Sequence, residues 1–211
     1  MFDDSVKNQI RTILNPLKER VNILYFTQEF ECAMCRDTGE FVRNINELSP
    51  KLNLTEFDYL KNPDKAEEFG IERIPAIAIA DSGGKDTGIR FYGPPAGYEV
   101  NSFLSALLET SGAKQEIPVA LMNRIKAVNK PVNIKVFISL SCPYCPEAVI
   151  AAHRLALENT NIKADMIDVG VFPHLGVKYN VSGVPKIVIN ETRELVGAHP
   201  IENMLEVIEK L

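Results

Sequence analysis

Two Cys-x-x-Cys pairs, Cys32-Ala33-Met34-Cys35 and Cys142-Pro143-Tyr144-Cys145, lie 110 residues apart in a chain of 211. The same offset relates Ile74-Pro75 to Val184-Pro185, so in both places the proline follows the first cysteine by 43 residues. Asp58 matches Asp168, Phe69 matches Tyr179 and Ile71 matches Val181 in the same way. Upstream, Val21-Asn22-Ile23 recurs as Val132-Asn133-Ile134 at an offset of 111, so the first copy holds one extra residue before its cysteines. Downstream, Gly93 and Gly197 are 104 apart, which makes the first hairpin six residues longer around Ser82-Gly83-Gly84. The chain is a tandem duplication, and each copy, of roughly 100 residues, is long enough for a compact domain.

Both copies predict the same elements. Val6, Ile10, Ile13, Leu14 and Leu17 follow helical spacing, as do Leu121, Met122, Ile125 and Val128. Pro16 and Pro131 end these helices. β-rich runs follow at residues 21–27 and 133–139, then CxxC and a long helix to about Leu48 or Asn159. A second strand ends at Asp58 or Asp168, and a short helix ends near Gly70 or Asn180, residue types that tolerate a left-handed cap. Two hairpin strands and a last amphipathic helix come after each proline. This order predicts an α/β chain of two units, 1–112 and 113–211, divided near Gly112-Ala113, each with its own central mixed sheet flanked by helices.

Composition narrows the function. A formal charge of -5 argues against a general nucleic-acid binder, which must neutralise phosphates. No apolar run reaches the roughly 18 residues of a membrane span, and the acidic start MFDDSVKNQIRTIL has no apolar core of a secretory signal, so a cytoplasmic location is expected. Only four cysteines are present, all in tight pairs, which points to chemistry rather than to a stapled scaffold. Four thiolates could hold zinc, but zinc ribbons separate their pairs by a few tens of residues, and pairs in two separate units are expected to face different ways, so no metal is expected. His153, His174 and His199 have no cysteine at ligand spacing and read as surface or packing residues.

Strand, CxxC at a helix start, X-Pro and then a hairpin and helix resemble the thioredoxin fold. Phe69-Gly70-Ile71-Glu72-Arg73-Ile74-Pro75 is similar to the thioredoxin loop ending in a cis-proline, and Cys142-Pro143-Tyr144-Cys145 is the glutaredoxin tetrapeptide. Two such units, each keeping its CxxC, resemble the protein disulfide oxidoreductases of thermophilic prokaryotes. The resemblance implies a protein dithiol–disulfide oxidoreductase that reduces, forms or reshuffles disulfides, with Cys32 and Cys142 as nucleophiles and Cys35 and Cys145 as resolving thiols. It also implies cis bonds before Pro75 and Pro185, which present the backbone of Ile74 and Val184 to an extended substrate chain. The implied partners are proteins with thiols or disulfides and a thioredoxin-reductase-type flavoprotein as electron donor, with no resident cofactor. The amino-terminal region of the flavin-dependent reductase serving alkyl hydroperoxide peroxidase is also a double thioredoxin fold. It normally keeps one CxxC and continues into a flavoprotein, whereas this sequence keeps both pairs, ends at Leu211 and has no GxGxxG, which weighs against that reading.

The chemistry explains the spacing. Free cysteine, with a pKa near 8.5, supplies only a few per cent thiolate at neutral pH. A cysteine in the first turn of a helix meets unpaired N–H groups that stabilise the anion, and Pro143 suits such a turn. The two sites differ, however. Glu29 and Glu31 precede Cys32 and raise its pKa, partly offset by Arg36, whereas Ser139-Leu140-Ser141 before Cys142 carries no charge. Gly183 before Val184 permits close approach of a substrate backbone; Arg73, at the matching place, either obstructs it or selects acidic partners. The second site is therefore expected to be the principal one. Thioredoxins keep a buried acid six residues before the nucleophile, but here those positions are Phe26 and Val136. A glutathione-linked glutaredoxin is an alternative that lacks its Gly-Gly-Asp turn, and a non-enzymatic peptide-binding chaperone is another, disfavoured by retention of both CxxC pairs.

Overall fold

The computed structural model describes residues 2–211. The first half runs α1 (Asp4–Leu14), β1 (Val21–Thr27), α2 (Cys35–Asn46), β2 (Leu52–Asp58), α3 (Pro63–Glu68), β3 (Ala76–Ala80), β4 (Asp86–Tyr92) and α4 (Val100–Thr110). The second half repeats the order as α5 (Val119–Ala127), β5 (Val132–Ile138), α6 (Cys145–Glu158), β6 (Ile162–Asp168), α7 (Pro173–Lys178), β7 (Lys186–Ile189), β8 (Arg193–Val196) and α8 (Ile201–Ile208). A short 3-10 turn, Gly97–Glu99, precedes α4 and has no counterpart before α8.

The expectation of a separate sheet in each half is corrected. All eight strands form one sheet in the order β2-β1-β3-β4-β6-β5-β7-β8. The halves join where β4 runs parallel to β6, with Ile89 to Tyr92 against Ala164 to Ile167. Each of these strands would otherwise be an exposed edge, and Ile89, Arg90, Phe91 and Tyr92 are all buried. A strand buried on both faces with its edge paired reads as a continuous buried run rather than an alternation.

The joined sheet also fixes the direction of the two CxxC segments. β1 is antiparallel to β3, β3 to β4, β4 is parallel to β6 and β6 to β5, so β1 and β5 run the same way. The cysteines that follow β1 and β5 thus emerge at one end of the sheet. This corrects the expectation, made for two separate sheets, that they face different ways.

Alternation along the strands builds two cores. Ile23 and Tyr25 of β1 and Ile134, Val136 and Ile138 of β5 point to the face covered by α1, α2, α4, α6 and α8. Leu24, Phe26 and Phe137 point to the other face, with Ala66 and Phe69 at α3 and Leu175 and Tyr179 at α7. The long helices bury the stripes their spacing predicts: Ile10 and Leu14 in α1, Leu121 and Ile125 in α5, and Ile201, Met204, Leu205 and Ile208 in α8. Gly70 and Asn180 close α3 and α7 with φ of 60° and 47°. Among the described residues no helix is long and apolar enough to cross a membrane.

Candidate active site

Both CxxC pairs are closed as disulfides, with Cα–Cα distances of 5.4 Å for Cys32–Cys35 and 5.5 Å for Cys142–Cys145. In each pair the second cysteine is the first residue of the long helix. The expectation that Cys32, Cys142 and Pro143 occupy the helix itself is therefore corrected: they lie in the turn just before it. The Cys35 N–H bonds back to the Cys32 carbonyl (3.3 Å), and the Cys142 N–H to the Ser139 carbonyl (2.9 Å). The turn carries each first cysteine past the helix end, where the unpaired first-turn N–H groups point. Pro146, in the first turn of α6, removes a donor where no intrahelical bond is lost.

Burial differs within and between the pairs. Cys35 and Cys145 are 4% and 0% exposed; Cys142 is 9% exposed and Cys32 is half-buried. The first cysteine of each pair is the more accessible. Tyr144 stands 68% exposed beside Cys142, and Phe30 stands 74% exposed beside Glu31 and Cys32.

The Ile74-Pro75 and Val184-Pro185 bonds are cis. Ile74 and Val184 lie just outside β3 and β7, so their backbone stands off the ladder at the same sheet end as the cysteines. Val184 meets its cysteine directly, its carbonyl oxygen lying 3.7 Å from Cys142 Sγ. Gly183 has open space where a side chain would be. Arg73, at the matching place before Ile74, has its guanidinium stacked on the Tyr92 ring at 4.8 Å and paired with Glu72 at 2.8 Å. Asp58 and Asp168 serve the turns after β2 and β6, accepting from the N–H groups of Leu60 and Lys61 and of Gly170. A groove of about 500 Å³ is lined by residues of both halves, among them Met34 of the first CxxC, Asp37 and Glu40 of α2, and Leu140 beside the second CxxC.

Sequence reasoning missed Glu99. It is fully buried in the 3-10 turn that the first half lays over the second site. The Tyr98 N–H donates to the Leu140 carbonyl (3.2 Å), and the turn packs against α6, which Cys145 heads. Gly97, with φ of 57°, permits this approach, because a Cβ there would sit 2.4 Å from the Leu140 oxygen. Glu99 accepts a hydrogen bond from Ser102 through one oxygen, while Oε1 has no partner. Burial raises its pKa to about 7, the Ser102 bond works against that rise, and the negative charge of Asp168 adds to it.

Residues 132–210 match a thioredoxin-domain family. The whole chain superposes on a protein disulfide oxidoreductase from Aeropyrum pernix with a TM-score of 0.91, covering 99% of this chain and 94% of that one at 28% identity. Both halves have the thioredoxin fold. The alkyl hydroperoxide reductase AhpF of Enterococcus faecalis superposes with a TM-score of 0.93 at 29% identity, covering 98% and 99% of the two chains. Among curated proteins, AhpF of Staphylococcus aureus is 27% identical over 97% of this chain, and that of Escherichia coli is 30% identical over 90%. The chain spans about 37% of the length of the first of these relatives and 34% of the second. The thioredoxin fold, the two CxxC disulfides and these likenesses support thiol–disulfide exchange as the chemistry of the site.

Proposed function

We propose that the chain is a protein dithiol–disulfide oxidoreductase with its principal centre at Cys142–Cys145. The observation that carries this reading is the meeting of Cys142 Sγ and the Val184 carbonyl at the head of α6. An extended substrate chain pairs with the Val184 backbone and so brings its own sulfur to Cys142, with little demand on side-chain identity. In the reducing direction the Cys142 thiolate attacks the substrate disulfide, forming a mixed disulfide and releasing one substrate thiolate. The Cys145 thiol then gives its proton to the Glu99 carboxylate, directly or through one water, and attacks Cys142 Sγ. The second substrate thiolate leaves, and two electrons have passed from the Cys142–Cys145 dithiol to the substrate. Glu99, near neutrality in pKa, suits both this proton uptake and its reverse. Cys32–Cys35, with Ile74-Pro75, forms the second and weaker centre. The units divide near Gly112-Ala113, and a flavoprotein of the thioredoxin-reductase type restores the dithiols in the cytoplasm.

A second reading is favoured by the likeness to AhpF: this chain passes electrons within a larger hydroperoxide-reducing system. The first reading is tested by dithiothreitol-driven insulin reduction with wild type and the variant in which all four cysteines are serine. The expected result is loss of catalysis in the variant. Retained protection of unfolded protein by that variant, with no insulin reduction by wild type, would leave a peptide-binding chaperone instead.

A further inference from the structure

The two centres rest on different strand residues, and sheet register identifies which residues correspond. Phe26 faces Ala76, the residue after Pro75, and Phe137 faces Lys186, the residue after Pro185. Tyr25 is therefore the counterpart of Val136, and both point to the α2–α6 face of the sheet. Tyr25 is fully buried. Its ring passes under α2 where the helix carries Gly39; a Cβ there would lie 3.1 Å from Tyr25 Cε1 and 3.1 Å from Arg43 Nη2. The matching position of α6 is Val149, also buried. The first half thus places a tyrosine over a glycine where the second places two valines, so the helix has given up volume to admit the phenol.

The phenol does more than fill space. Its hydroxyl donates to the carbonyl of Cys35, the first residue of α2, and lies 3.2 Å from Thr27 Oγ1. Burial pushes its pKa up, so it stays a donor at neutral pH. The Cys35 carbonyl shares a peptide group with the Arg36 N–H, one of the first-turn donors with no intrahelical acceptor. A hydrogen bond to that oxygen polarises the peptide and strengthens the N–H as a donor toward an anion. The charged groups around the two residues are Glu29, Glu31, Arg36 and Asp37 near Cys32, and Arg43, held by Glu56 at 2.7 Å, beside Tyr25.

We propose that Tyr25 is a positioning residue of the first centre: through the Cys35 carbonyl it strengthens the backbone donors that face Cys32, stabilises the Cys32 thiolate and makes this disulfide more oxidising. Val136 gives the second centre no such donor. The proposal rests on the reading of Cys32–Cys35 as a redox centre.

The test uses the full chain with Cys142→Ser and Cys145→Ser, so that one disulfide remains. Its equilibrium with reduced and oxidised glutathione is compared between Tyr25 and Tyr25→Phe, which keeps the ring and removes the hydroxyl. Tyr25→Phe is expected to move the equilibrium roughly three- to ten-fold toward the disulfide, up to about 30 mV, and to shift the thiolate absorbance titration of Cys32 to higher pH. A purely structural tyrosine would lower the melting temperature and move neither quantity; that result, in a folded variant, overturns the proposal. Should Tyr25→Phe unfold, Gly39→Ala, whose Cβ presses on the ring and moves the hydroxyl away from the Cys35 carbonyl, must shift the same equilibrium toward the disulfide, and an unchanged value counts against Tyr25. If the parent protein does not equilibrate with glutathione at all, the redox reading of the first pair fails instead.

Discussion

The first centre has two carboxylates before a half-buried Cys32 and a phenol beneath its helix; the second has uncharged residues before a Cys142 that meets the Val184 carbonyl, and the 3-10 turn of the other half, with the buried Glu99, packs on its helix. Duplication gave both the same backbone, so the chemistry differs through a handful of side chains rather than through the fold. On the side of the second centre, the merging of the two sheets brings the 3-10 turn with the buried Glu99, one of whose carboxylate oxygens has no partner, against α6. The fusion of the halves therefore shapes the surroundings of the second site.

That difference can be broken at Glu99. Glu99→Gln keeps the shape and removes the base, so turnover at the second centre should fall about 100-fold, the usual scale of a general base. Wild-type turnover should rise with pH through about 7, where Glu99 loses its proton, and the variant should lose that step. The first centre, assayed with Cys142→Ser, should not respond. Pre-steady-state formation and decay of the mixed disulfide at each centre gives the reading.

Gly97→Ala should act on the same contact from the backbone side. The new Cβ meets the Leu140 oxygen in a left-handed conformation, a strain of about 1–3 kcal/mol. Urea unfolding should show that loss together with slower resolution at the second centre alone.

Two buried groups at the junction of the halves should oppose each other in pH dependence. His153 sits on α6 against Phe91 and β4, its Nε2 at the Arg90 carbonyl, and burial lowers its pKa to about 3. The unfolded chain takes up that proton below about 6.5, so this group costs about 2 kcal/mol of stability between pH 7 and 5. Glu99, raised to about 7 in the fold, binds its proton before the unfolded chain does and contributes about 2 kcal/mol over the same fall in pH. The two contributions oppose each other from pH 7 to 5, and the buried Asp165 and Asp168, whose pKa values burial also raises, act on the side of Glu99. Relative to wild type, Glu99→Gln should lose stability with acidification and His153→Phe should gain it, both visible in denaturant midpoints.

The smallest effect belongs to the acidic rim. Glu29→Gln with Glu31→Gln should raise the thiolate fraction of Cys32 by a few-fold at most, because exposed charges are screened by water and salt. An iodoacetamide rate measured at low and high salt would show it.

The duplication, the cysteines, the X-Pro pairs and nearly every element were legible in the sequence because each leaves a local mark: spacing, periodicity or a turn residue. The merged sheet was not, since β4 and β6 pair between the halves and no local pattern names a partner; Arg90 interrupts the apolar run from Ile89 to Tyr92, all of which the structure buries. Glu99 was hidden for the same reason, standing 43 residues before Cys142 in a turn that only the first copy has. Tyr25 was obscured by counting back from the cysteines. The extra residue between Val21 and Cys32 set Phe26 against Val136, which lie on opposite faces of the sheet, and so concealed that the true counterparts are Tyr25 and Val136.

The most direct measurement is insulin reduction by Cys32→Ser and Cys142→Ser side by side. The account predicts that Cys142→Ser removes most of the rate and Cys32→Ser a minor part. The opposite ranking would contradict it and make the centre without the buried acid the principal one.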